Sequence, residues 1–151
     1  MPGYKQPVSV LVVIFTTGAS IELKADTGVL LLERADHSGY WQSVTGSCEA
    51  GETPLETAIR EVREETGLDT SQYTLTDWQL QNTYEIYPQW RHRYPPGITH
   101  NTEHVFGLQL PHPVPIRLSP DEHLNFQWLT RHDAAEKVFS PSNRAAILRL
   151  P

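Results

Sequence analysis

The apolar positions of the chain fall into a few well-separated runs. Residues 7–15 (PVSVLVVIF) are apolar at almost every position and rich in β-branched side chains, which predicts a strand central in a sheet and covered on both faces. Residues 28–33 (GVLLLE) read the same way over a shorter span. Residues 75–87 and 103–110 predict two more strands flanking a basic, aromatic loop, and 125–129 (NFQWL) a short last strand. Helical segments are expected over 54–66, 132–138 and 142–150, while Pro95-Pro96 and the prolines between Pro111 and Pro120 mark loops. With no repeats and no long linker, this order predicts a mixed β-sheet between helices, an α/β/α sandwich.

The 54–66 helix is defined by its punctuation. Thr53 suits the N-cap, Pro54 the first helical position, Glu56 a capping box with Thr53, and Gly67 a left-handed stop. At about 100° per residue, Leu55, Ala58, Ile59 and Val62 gather on one arc, predicted to pack. Glu61, Glu64 and Glu65 occupy a neighbouring arc, predicted to face a site.

Glu61 and Glu65 are four residues apart, and like charges at that spacing cost roughly 0.2–0.5 kcal/mol even in water. One reading is a solvated charged face with Arg60 and Arg63 as local partners. The other is a metal site: oxygen-only ligands at helical spacing suit hard cations, Mg²⁺ above all or Mn²⁺, which bind through a few carboxylates, water and substrate phosphates. The preceding residues, 46–52, form a glycine-punctuated loop whose amides, with the helix N-terminus, suit an anion.

Composition narrows the partners. A 151-residue chain, 38% hydrophobic and 20% charged, suits one globular domain spanning 1–151. A net charge of −6 argues against a nucleic-acid polymer bound through a broad basic surface, so an anionic small molecule would need metal and local arginines. The single Cys48 excludes an internal disulfide, and it reads as a filler rather than a nucleophile. No signal-peptide pattern is present and the 8–15 run is too short to span a bilayer, so no membrane association and a cytoplasmic address are expected, as a monomer or homodimer.

Gly46, five residues, Glu52, seven residues and then Arg60-Glu61-Val62-Arg63-Glu64-Glu65-Thr66-Gly67-Leu68 match every fixed position of the Nudix box, and the chain resembles the Nudix hydrolase family. The resemblance implies the Nudix fold and metal-dependent cleavage of a nucleoside diphosphate linked to another group. It implies Glu61 and Glu65 as direct metal ligands, Glu64 as a ligand or acting through water, and the Gly46 backbone as a further oxygen donor. By the same resemblance Glu52 and Arg60 support the site, Arg60 by salt bridges that orient the glutamates.

Family members draw another carboxylate from a distant loop. Glu122, in SPDEHLNF, is the expected one for metal or base, with Asp121 its rival and an exposed acidic turn the plainer reading. Arg91, Arg93 and Tyr94, with His92, suit a triphosphate tail and a planar ring, against a loop that merely packs Trp90 and Tyr94. Trp41 suits ring stacking or the core. Asn101, Glu103 and His104 suit a base edge or simple strand-end hydrogen bonding, and the sequence does not separate the two.

The segments PVSVLVVIF, YWQSVTGSCEAGET and WRHRYPPGITHNTEHVF resemble the branch of the family that acts on dihydroneopterin triphosphate in folate synthesis and also accepts dATP. The expected reaction is therefore release of pyrophosphate from a pterin or purine-nucleoside triphosphate, leaving the monophosphate. The alternatives are a nucleotide-pool sanitising enzyme for oxidised or non-standard triphosphates and, from another class, a catalytically silent nucleotide-binding module.

Overall fold

The strand predicted to be central is central. In the computed structural model, which describes residues 3–17 and 28–150, β1 (Val8–Thr16) is buried along nearly its whole length. It pairs in parallel with β6 (His100–Leu110) on one side and antiparallel with β4 (Val44–Ser47) and the start of β2 (Gly28–Arg34) on the other. β5 (Thr74–Glu85) adds to β6, while β3 (Trp41–Gln42) and β7 (His123–Thr130) both pair with β2. Among the described residues, these seven strands form one mixed sheet.

Alternation along β1 feeds two cores, because successive side chains point to opposite faces. Val10, Val12 and Ile14 pack with Ala58 and Val62 of α1 (Pro54–Thr66). Leu11, Val13 and Phe15 pack with Ala134, Ala135, Ala146 and Ile147 of α2 (Arg131–Lys137) and α3 (Pro141–Leu148). The result is the expected α/β/α sandwich. Among the described residues no helix is long and apolar enough to cross a membrane.

The bounds of α1 coincide with those its caps predict: Thr53 Oγ1 accepts from Glu56 N at 3.1 Å, Glu56 Oε1 accepts from Thr53 N at 2.9 Å, and Gly67 stops the helix at φ 76°. The packing arc needs correction. Ala58 and Val62 are buried, but Leu55 and Ile59 are 48% and 40% exposed, whereas Glu61 and Glu65 are only 7% and 1% exposed. The helix is rotated so that two carboxylates, not two aliphatic side chains, enter the interior. An apolar-periodicity argument cannot see this, since it assigns charge to the outside.

Candidate active site

One cavity of about 1020 Å³ is lined by Glu61, Glu64 and Glu65 of α1, by Gly46 of β4, by Asp121 and Glu122 before β7, and by residues from β1, β2, β5 and β6. Its construction begins with Arg60. The guanidinium donates to both oxygens of Glu52 at 2.8 Å, to Glu61 Oε1 at 2.7 Å, to Glu64 Oε2 at 3.3 Å and to the Ser47 carbonyl at 3.1 Å. Glu49 lies 3.1 Å from Arg60 Nε. Arg60 therefore ties the loop before α1 to the carboxylates of α1. Its hydrogen bonds pull the Glu52 carboxyl down to about 2, assisted by Thr57 Oγ1, which donates to Glu52 Oε1 at 2.6 Å.

Glu65 is the opposite case. It is fully enclosed, and neither carboxylate oxygen has a hydrogen-bond partner. Burial pushes its pKa well above the usual carboxylate range, and the neighbouring Glu61 and Glu122 push the same way. Glu61 is raised too, by burial, although Arg60 opposes it. His123 Nε2 lies 3.4 Å from Glu65 Oε1, but burial and then Arg34 depress the imidazole to about 4, so at neutral pH it is uncharged and forms no ion pair there.

An ionised carboxylate buried without a partner costs several kcal/mol. The oxygen donors of Glu61 and Glu65, with Glu64 and Glu122 at the same cavity, are hard ligands of the kind Mg²⁺ takes, and a divalent cation would satisfy the orphaned Glu65 oxygens. Gly46 reaches this point because it lacks a side chain: a Cβ there would overlap the Glu61 carboxyl group. Among the described residues no group of three or more His, Cys, Asp or Glu side chains is gathered closely enough to hold a metal ion by itself. A cation bound here would therefore have to take the rest of its shell from water and phosphate, as Mg²⁺ commonly does.

Beside the carboxylates lies a cationic strip that sequence reading largely missed. Lys5, Arg34 and Arg93 all line the cavity. Arg34 grips Asp36 through Nε and Nη2, each at 2.7 Å, and Arg93 Nη2 reaches the same carboxylate at 3.0 Å. The two guanidiniums hold Asp36 far below the usual carboxylate range. Burial, and then Arg93 and Arg34, lower the Lys5 pKa. Asp36 pairs with the two arginines while Glu61 and Glu122 act on Lys5, and the three cations together suit a polyphosphate entering the cavity. Arg34 and Lys5 sit in segments with no basic cluster, so nothing local in the sequence marked them.

The substrate residues expected from the 90–94 loop divide. Arg93 and Tyr94 line the cavity. Arg91 does not; it is a corrected expectation, because Nε donates to the Ile86 carbonyl at 3.0 Å and Nη2 to Glu85 at 2.8 Å, closing its own loop. Trp41 is corrected as well: it packs against the α2–α3 core, with Lys137 Nζ 4.4 Å from its ring centre, and does not line the cavity. The aromatic wall is built instead by Tyr87, Trp90 and Phe139, with Arg34 stacked 4.7 Å from the Trp90 centroid. Of the three base-edge candidates, Asn101 and Glu103 reach the cavity; His104 faces away from it on β6.

Comparisons with known proteins agree with this geometry. The NUDIX domain model matches residues 5–150. The chain is 47% identical, over 95% of its length and 91% of the relative's, to the dihydroneopterin triphosphate diphosphatase of Escherichia coli K12, and 42% identical, over 97% and 89%, to that of Haemophilus influenzae. The solved structure of the E. coli dihydroneopterin triphosphate pyrophosphohydrolase superimposes with a TM-score of 0.88, covering 97% of this chain and 96% of that one at 46% identity. A box of carboxylates gathered by one arginine, on this fold and with these relatives, means that the chain belongs to the Nudix hydrolase family.

Proposed function

We propose that this Nudix hydrolase, with 1–151 acting as one catalytic domain, releases pyrophosphate from dihydroneopterin triphosphate and accepts dATP-like nucleoside triphosphates, leaving the monophosphate. One observation carries the reading: a single cavity joins a buried carboxylate pair, a cationic strip and an aromatic wall, in a chain 47% identical to a diphosphatase named for that substrate. Folate synthesis is the pathway this implies. The lone buried Cys48 is in keeping with a reducing cytoplasm.

Nudix hydrolases generally need a divalent cation. Here Glu61, Glu65, Glu64, Glu122 and the Gly46 backbone would hold it, Mg²⁺ first and Mn²⁺ second. When bound, the ion neutralises phosphoryl oxygens and lowers the pKa of a water molecule. The protein's own residues do the rest. Arg60 fixes Glu61 through a 2.7 Å hydrogen bond, so the carboxylate does not have to be ordered during the reaction. Lys5, Arg34 and Arg93 face the cavity where phosphate charge would lie and would align the tail for in-line attack. Glu122, with Asp121 beside it, lines the same cavity; if it does not hold the ion, it would take the proton of the attacking water.

The test is pyrophosphate release from dihydroneopterin triphosphate, dATP, dGTP and an oxidised guanine triphosphate, each with Mg²⁺ and with chelator. Metal-dependent release fastest from the pterin is the expected result. Fastest release from the oxidised nucleotide would replace this substrate with the nucleotide-pool reading.

A further inference from the structure

Arg34 ends β2 and Arg93 ends the short helical turn at 88–93, yet both reach the carboxylate of Asp36, Arg93 from 57 residues away. Asp36 Oδ2 accepts from Arg34 Nη2 at 2.7 Å and from Arg93 Nη2 at 3.0 Å, while Oδ1 accepts from Arg34 Nε at 2.7 Å. Gln42 Oε1 accepts from Arg34 Nη1 at 3.1 Å. Both guanidiniums also face Trp90, at 4.7 and 6.0 Å from its ring centre. Lys5 N donates to the Arg93 carbonyl at 2.7 Å, which ties the segment of the third cation to the same place.

The turn that carries Asp36 is itself pinned. Arg34 N donates to the Tyr40 carbonyl and Ala35 N to the Glu122 carbonyl, each at 2.9 Å. Tyr40 stacks on His37 at 3.5 Å and on Phe139 at 4.5 Å, centre to centre. Two long cations side by side repel each other and lose rotamer freedom when held. An ionised carboxylate on a fixed turn offsets both costs before any ligand arrives. The side chains of Arg34, Asp36 and Arg93 are 17%, 36% and 31% exposed, so their pairing is screened less than that of open surface charges. Asp36 does not exhaust the donors. Among the described residues Nε and Nη1 of Arg93 have no hydrogen-bond partner, and Arg93, Arg34 and Lys5 all line the cavity.

We propose that Asp36 is a positioning residue for the phosphate tail, clamping Arg34 and Arg93 into one preset receptor that takes a pyrophosphate group. This deepens the proposed triphosphate reaction and rests on its phosphate-bearing substrate. Charge counting alone gives the opposite sign, since an aspartate at an anion site repels the anion and its removal would tighten binding. In the clamp the sign is reversed, because loss of the carboxylate frees two arginines that the ligand must then order itself. The clamp holds phosphate and leaves the ring unread, so pterin and adenine triphosphates are served alike.

Calorimetry with inorganic pyrophosphate and Mg²⁺ tests the clamp without turnover. Asp36→Asn keeps the shape of the side chain but turns one of its two acceptors into a donor. It should weaken pyrophosphate binding about tenfold, the scale of one charge-assisted hydrogen bond. Combined with Arg93→Ala, it should lose less than the product of the two single losses. In turnover the Asp36→Asn loss should fall on KM rather than kcat, a split that a merely structural role would not give. Should Asp36→Asn not fold, Asp36→Glu, which keeps the charge one methylene further out, carries the test; a smaller loss is expected, and unchanged binding overturns the inference. Binding by Asp36→Asn as tight as wild type or tighter overturns it, as do losses that simply multiply in the double variant. Failure of wild type to bind pyrophosphate overturns it too. Asp36-dependent pyrophosphate binding in a chain that releases none from any triphosphate would retain this inference and discard the proposed reaction; release from the pterin with Asp36→Asn unaffected would do the reverse.

Discussion

Gly46 on β4 and Glu61 on α1 approach so closely that a methyl group at residue 46 would overlap the Glu61 carboxyl group. Two consecutive elements thus meet at a contact that only a glycine allows. The Arg60 guanidinium, which bonds both the Ser47 carbonyl and Glu61, locks the same junction from the other side.

Gly46→Ala should therefore damage the reaction more than the fold. The added methyl must displace the Glu61 carboxylate, and a misplacement of about 1 Å can cost roughly 100-fold in rate. Steady-state kinetics should show kcat reduced by at least about tenfold, with a melting temperature close to that of wild type. A variant with full turnover would remove Glu61 from the reacting centre.

Glu65→Gln should keep the fold and lower turnover by orders of magnitude. The amide keeps the shape but removes the charge that a divalent cation would meet among otherwise unpartnered oxygens. Ligand binding to the native state raises stability, so Mg²⁺ should raise the melting temperature of wild type and leave that of the variant nearly unchanged. An equal Mg²⁺ increment in both proteins would sink the assignment of Glu65 as a ligand.

Glu52 ties pH to stability. Its carboxyl is held at about 2 by Arg60, below the ordinary glutamate value of 4.5. A depressed folded-state pKa stabilises the native protein above the unfolded value, and that contribution disappears as the pH falls through the folded value. Glu52→Gln should cost about 1–2 kcal/mol near pH 7, as expected for a charge-assisted hydrogen-bonded pair that is mostly shielded from water. Denaturant unfolding should show the gap between the proteins shrinking from pH 4.5 towards pH 2. A gap independent of pH would mean that Arg60 does not hold Glu52 as a charged partner.

Arg93 and Arg91, two residues apart, should behave differently. Arg93→Ala removes a cation from the cavity wall and should raise KM for a triphosphate several-fold, with the smaller effect on kcat. Arg91→Ala breaks only bonds within its own loop and should leave both constants near wild type. Reversed effects would place the phosphate tail on the other side of that loop.

The legible parts of this protein were those decided locally. The capping box at Thr53 and Glu56 and the stop at Gly67 are contacts within a few residues, so α1 could be bounded from sequence alone. The unbroken apolar run of β1 required burial on both faces wherever the strand went. The short strands β3 and β4 escaped notice, because Trp41–Gln42 and Val44–Ser47 carry neither a long apolar run nor clear alternation, and their pairing is supplied by β2 and β1.

By itself the sequence determined the box, its caps, the carboxylates at helical spacing and the sheet-forming runs, since each depends on side-chain chemistry and short-range geometry. Tertiary structure decided which way α1 faces, burying Glu61 and Glu65 while leaving Leu55 and Ile59 exposed. It also decided that Lys5, Arg34 and Arg93 share one strip, that Arg91 and Trp41 stand outside it, and that Glu103 and Asn101 open into the same cavity. Those outcomes depend on strand register and on the placement of loops tens of residues apart. The free energy of burying an unpartnered acceptor is set by what the rest of the chain brings to it.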